Sequence, residues 1–279
     1  MYGAVGVCIG LLIATGYRSI IGVPLLNFSI CAHQYPFTSS ALDCGEYDNS
    51  AARLHALDAL FDSATVKYVQ EGKAARVSVW VRNLHTQQWA ASNEQETYVP
   101  ASLLKVPLLV TYYKLAEVEP SVLRVQLTYQ KTAAQDDSTQ NFPSTTKLVA
   151  GQQYTIKQLM QSMIVDSDND AANLLLAHLG PDTFDNTLVD LGIKVPTQVG
   201  VVDFVTVKSY ASIFRVLYNA SYLDRNYSEK ALEMMSSTTF RGIADAVPSS
   251  IPVVHKFGER KVLAPDGSVQ KNELHDCGI

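Results

Sequence analysis

Residues 162–176 read SMIVDSDNDAANLLL, two apolar runs separated by a polar corner. Upstream, Thr155 and Gln158 form a T-x-x-Q capping box, which starts a helix reaching about Val165. Downstream, a second helix runs from about Asp170 to Leu179 and stops at Gly180-Pro181. The corner Asp166-Ser167-Asp168-Asn169-Asp170 is thus held between two helices. Alone, an S-D-N tripeptide is no more than a loop or a helix cap. Its meaning depends on what the rest of the chain brings to it.

Two other segments carry polar groups where apolar ones are expected. PASLLKVPLL, residues 100–109, places Ser102 three positions before Lys105 at the head of an apolar run. If 102–116 is a helix, the two share a face about one turn apart. Burial there disfavours the charged lysine and lowers its pKa, as a base for the serine proton requires. The late segment SIPVVHKFGER, residues 250–260, has strand character and carries Lys256-Phe257-Gly258. A lysine before glycine on a strand is, by itself, an edge charge.

A serine-lysine pair at a helix start, a serine in an interhelix corner and a lysine-glycine strand, in that order, are the three elements of class A beta-lactamases and penicillin-binding proteins. PASLLKVPLL, SMIVDSDNDAANLLL and VVHKFGE resemble that family of penicillin-recognising serine hydrolases over residues 47–279. The resemblance implies an α/β (α+β) fold: an antiparallel sheet flanked by helices, joined to an all-helical subdomain over about 118–205, with the site between them. It also implies that a strand and a terminal helix beyond residue 279 are missing.

By the same resemblance, Ser102 is the acylated nucleophile and Lys105 its activating base. Ser167 relays a proton to the leaving nitrogen with help from Lys256, whose charge also favours a substrate carboxylate. Asn169 bonds the substrate amide and helps hold Lys105, and Asp168 braces the corner. The oxyanion rests on the N–H groups of Ser102 and Glu259, and Gly258 lets the acyl group approach the strand. Phe257 stands where the family carries a hydroxylated residue, so the carboxylate pocket loses a hydrogen bond that Arg260 would have to replace. The interval PDTFDNTLVDLGIKVPTQVGVVDFV, residues 181–205, contains no glutamate and no E-x-x-L-N motif. Asp203 is the candidate stand-in for that water-activating base. Three readings stay open: a beta-lactamase relative, a cell-wall D,D-peptidase or transpeptidase, and a binding domain for penicillin or peptidoglycan that has lost turnover.

Around these motifs, residues 50–71 place Leu54, Leu57, Phe61, Ala64 and Tyr68 on one helical face, closed by Gly72. Residues 76–84 alternate as a strand, HTQQ turns, and a short strand follows around Trp89. QKTAAQDDSTQNF, 130–142, reads as loop. Tyr210 to Tyr218 and Ser228 to Met235 mark further helices, and DGSVQ turns into a last strand opening at Leu274. Strands near both ends with helices between predict one sheet assembled from distant segments.

The chain has 279 residues, 47% hydrophobic and 18% charged, with a formal net charge of -5. That mild acidity, without any lysine- or arginine-rich stripe, excludes a nucleic-acid surface. The residues before Arg18 carry no charged side chain, so 1–32 is expected to be a membrane anchor, 33–49 a polar linker and 50–279 the hydrolase domain, standing outside the cytoplasm. Cys31 and Cys44 flank the linker and are either paired or free. The scattered histidines match no metal-site spacing, and no cofactor is implied.

Overall fold

The computed structural model describes residues 37–38, 52–131, 140–144, 146–195 and 203–279. The expected anchor and the Cys31 and Cys44 thiols lie outside them. Among the described residues no helix is long and apolar enough to cross a membrane. The part of the expected linker that is described does not behave as a spacer. The backbone N–H groups of Phe37 and Thr38 each donate to the buried carboxylate of Glu229 at 2.9 Å.

In chain order the described elements are α1 (His55–Gln70), β1 (Val79–Arg82), β2 (Trp89–Ser92), β3 (Thr97–Tyr98), a 3-10 turn (Ala101–Leu104), α2 (Lys105–Val118), a second 3-10 turn (Pro120–Arg124), β4 (Gln126–Thr128), β5 (Gln153–Thr155), α3 (Ile156–Val165) and α4 (Asn169–His178). Then follow α5 (Pro181–Asp190), β6 (Val205–Thr206), α6 (Val207–Tyr218), α7 (Arg225–Ser236), a third short 3-10 turn (Gly242–Ala246), β7 (His255–Leu263) and β8 (Val269–Gly278). The fold is the mixed helical and antiparallel one expected. In place of a single sheet, the described strands form four antiparallel pairs: β1 with β2, β3 with β6, β4 with β5, and β7 with β8. The last strand begins at Val269, earlier than its apolar end indicates, because its first half is exposed and polar.

Helix α2 is the centre of the core. Ten of its side chains are buried, Lys105 through Tyr113 and Ala116, and α3, α4, α5 and α7 pack around it. A helix apolar on all sides must be enclosed on all sides. It starts at Lys105 and not at Ser102. Ala101 takes a positive φ of 49°, which fits no α-helix, so residues 101–104 tighten into a 3-10 turn. Pro107 then sits in the first helical turn, where its missing N–H costs least. The Leu103 carbonyl that this N–H would have met accepts a 2.8 Å bond from the buried Tyr210 hydroxyl.

Helix α1 departs further from expectation. Its inner face buries Asp58 and Thr65, while Ala64 and Tyr68 are exposed. The Asp58 carboxylate accepts from the Ala91 N–H and from Arg53, both at 2.8 Å, and Thr65 meets the Ser92 hydroxyl at 3.1 Å. Strand β2 presents polar groups to this helix, and polar side chains satisfy them.

Candidate active site

Each polar element is positioned by its own local physics. Asp168 is the N-cap of α4, its Oδ1 accepting from the N–H groups of Asp170 and Ala171 at 2.8 and 3.2 Å. The Thr155/Gln158 capping box opens α3. Between these helices the chain must turn sharply, and Ser167 absorbs the turn with a φ of 56°. A serine in the left-handed region is strained, and such strain persists only where the surroundings fix it. The Ala101 conformation beside Ser102 is of the same kind.

Lys105 and Lys256 converge on Ser167 from 62 and 89 residues away. The Lys256 Nζ donates to Ser167 Oγ at 2.9 Å and to the Phe257 carbonyl at 2.8 Å. The Lys105 Nζ donates to Asn169 Oδ1 at 2.7 Å, to the Ser167 carbonyl, and lies 3.2 Å from Ser167 Oγ. Both lysines are buried, Lys105 to 5% exposure and Lys256 to zero. Burial brings the Lys105 pKa down from 10.5 to about 7, against an opposing pull from Asp168. Burial, then repulsion from Lys105, holds Lys256 well below the lysine range. A neutral Lys105 suits its contacts: two N–H bonds serve the two carbonyl oxygens, and the lone pair faces the Ser167 hydroxyl.

Ser102 stands on the 3-10 turn, half-buried. Its hydroxyl makes no hydrogen bond to another described residue, Lys105 included, because the lysine is committed to the corner. The turn is pressed against β7 at Gly258. A Cβ there would lie 2.7 Å from the Pro100 carbonyl oxygen and 2.9 Å from Leu103. The glycine therefore brings the strand up to the Ser102 turn, whereas its expected role was to make room for an acyl group.

The β7–β8 ladder decides which β7 N–H groups stay unused by β8. Val254 and Ile279 exchange two 2.8 Å bonds, so bonding alternates on even-numbered β7 residues and leaves Glu259 N–H on the free edge. The Ser102 N–H is also available, since the first donor of its turn is Leu103, to the Pro100 carbonyl at 3.0 Å. These are the two donors expected for an oxyanion. The Glu259 side chain acts elsewhere, its carboxylate accepting from the N–H groups of Asn141 and Phe142 at 2.6 to 2.9 Å.

Arg260 and Asp203 are the two candidate compensations. Arg260 falls on the face of β7 opposite Phe257, by strand alternation. Asp203 forms an ion pair with Arg76 at 2.9 Å, turned to that partner and bonded to neither Ser102 nor Lys105. Lys256 is closed off from solvent, its Nζ 4.1 Å from the Phe257 ring centroid. The aromatic group around it gives no sign in the sequence: Phe142 lies in a segment that reads as plain loop, and Phe240 carries no periodic or motif signal. Tyr210 reads as helix periodicity alone, yet it holds the Ser102 turn through Leu103.

A family model described as the beta-lactamase enzyme family matches residues 62–279. The chain belongs to that family. A search of the curated proteins found no match. Among solved structures, the TLA-3 extended-spectrum beta-lactamase is 22% identical, with a TM-score of 0.64 over 80% of this chain and 84% of the other. The class A beta-lactamase from Mycobacterium abscessus is 17% identical, with a TM-score of 0.62 over 78% and 89%. PBP-A, as a single-substitution mutant in an acyl-enzyme complex with penicillin G, is 16% identical, with a TM-score of 0.61 over 81% and 87%. This beta-lactamase-family chain thus shares their fold, at identities too low to carry over their substrates.

Proposed function

We propose that the protein is a serine hydrolase that acylates Ser102 with a beta-lactam or a related cell-wall peptide, and releases a beta-lactam product slowly. The observation that carries this reading is Ser167 Oγ, held between Lys105 and Lys256 beside the turn that bears Ser102. Neutral Lys105 turns its lone pair from the Ser167 hydroxyl to Ser102 and takes the Ser102 proton as Oγ attacks the carbonyl carbon. The oxyanion rests on the N–H groups of Ser102 and Glu259. As the C–N bond breaks, Ser167 passes its proton to the leaving nitrogen and is reprotonated by the Lys105 ammonium. Asn169 holds Lys105 in place and offers its amide to the substrate, and Asp168 fixes the corner through the α4 cap.

A D,D-peptidase or transpeptidase role is favoured over an efficient lactamase by one specific observation. Residues 181–205 contain no glutamate, and Asp203, the candidate stand-in for the water-activating base, is paired with Arg76. A single-substitution mutant of PBP-A has been solved as an acyl-enzyme complex with penicillin G, and an acyl-enzyme is the species this reading expects to accumulate. A membrane tether over residues 1–32, with the domain outside the cytoplasm, fits such a role.

The test is covalent labelling by a fluorescent penicillin with peptide mapping, followed by stopped-flow nitrocefin hydrolysis. One adduct on Ser102, and a burst equal to the enzyme followed by near-silence, is expected. An adduct elsewhere removes the nucleophile assignment. Sustained turnover removes the slow-release part.

A further inference from the structure

The end of the site where Phe257 stands has its own architecture. The Phe257 ring is buried and stacks on Phe240, with centroids 4.2 Å apart and planes 25° from parallel. Phe142 meets both edge-on, at 5.1 and 6.1 Å. These rings come from three distant segments and line one cavity of about 580 Å³, a size that suits a small organic ligand. Phe142 is held at its mouth by the Glu259 bonds to the loop backbone.

An incoming carboxylate meets three obstacles here. The Lys256 Nζ, fully buried, gives its N–H groups to Ser167 and the Phe257 carbonyl and lies against the Phe257 ring face. No hydroxyl stands at position 257. The described lining carries the carboxylates of Asp166 and Asp245 and a single guanidinium, Arg241, bonded to Asp245 at 2.9 Å. That guanidinium already has a carboxylate partner. Phenyl rings, by contrast, offer stacking and edge contacts to another ring.

We propose that this cavity takes an uncharged aromatic group of the acyl donor and disfavours a carboxylate. The proposal rests on the reading of Ser102 as the acylated nucleophile. It names the substrate class as neutral aryl-bearing amides or esters.

Benzylpenicillin and its benzyl ester test it, since they share the lactam and differ in whether a carboxylate or an uncharged aryl ester is presented. Rates of Ser102 acylation, followed by intact-protein mass spectrometry, should favour the ester by about ten-fold or more, the scale of one aromatic contact or one charged hydrogen bond. Phe257→Thr should reverse the preference. Phe240→Leu, which keeps apolar volume but removes the stacked ring, should narrow it if the first variant does not fold. Equal rates, or a faster acid, in the unsubstituted protein overturn the proposal. The same pair is also titrated into Ser102→Ala by ligand-observed NMR. Tighter binding of the ester supports the cavity assignment even if no adduct forms, in which case the acylation reading alone is lost. Tighter binding of the acid, or binding of neither, overturns it.

Discussion

Lys105 and Lys256 are both buried lysines bonded to the same serine, yet they close off opposite ends of the site in different ways. At the Lys105 end the neighbours are polar and fixed: the Ser167 carbonyl, Asn169 and the capped corner. Burial there lowers a pKa to about 7 and yields a base. At the Lys256 end phenyl rings pack around the side chain, and burial withdraws the amine from anything outside. The same side chain becomes reactive when it keeps a lone pair for chemistry, and inert toward ligands when a ring covers it.

The sharpest way to break this contrast is at the base. Lys105→Ala should slow acylation of Ser102 by about 10²- to 10⁴-fold, the span of a lost general base, measured as adduct formation over time. The intact protein should show the acylation rate rising with pH through about 7 and then levelling, because the neutral form of Lys105 acts. A rate flat from pH 6 to 8 would mean that Lys105 is not the titrating base. The same lowered pKa sets a sign for stability. The unfolded chain binds this proton up to about 10.5 and the folded one only up to about 7. The Lys105 contribution therefore makes the protein more stable as pH rises across that window.

Gly258→Ala tests whether the two ends need the strand to touch the Ser102 turn. With a Cβ 2.7 Å from the Pro100 carbonyl, the variant should lose about 2 to 3 kcal/mol in denaturant unfolding, at the upper range of overpacking. Acylation should fall with it. Tyr210→Phe removes the hydroxyl bond to Leu103 and should cost about 1 to 2 kcal/mol. Its effect on the labelling rate should exceed that of an equally destabilising change remote from the turn. The smallest effect belongs to Glu259→Gln, which weakens the hold on Asn141 and Phe142. It should cost less than about 1 kcal/mol, and faster hydrogen exchange at those two amides would report it.

What is legible in the sequence follows the same division. The S-D-N corner, the Thr155 capping box and the serine-lysine pair are local patterns, and local patterns survive in a linear reading. The lysine's burial is legible too, because Lys105 interrupts an apolar run. The start of α2 falls three residues later than the sequence indicates, since no composition signal announces the left-handed Ala101. The inner face of α1 escapes a linear reading because apolar spacing hides the polar contacts that Asp58 and Thr65 make with β2. The aromatic cavity is out of reach: Phe142, Phe240 and Phe257 share no period and meet only in the folded chain.

The sequence distances recorded around Ser167 also set an order of assembly. Its corner lies between two adjacent helices, and contacts of that range close quickly. Lys105 must arrive across 62 residues and Lys256 across 89, with the longer loop closing at the greater entropic cost. During synthesis, a chain halted between residues 236 and 255 would possess every described helix from α1 to α7 and the first lysine but not the second. Such a nascent chain would carry the base without the group that steadies the leaving-group proton. Chemical competence would thus be among the last properties the growing polypeptide acquires.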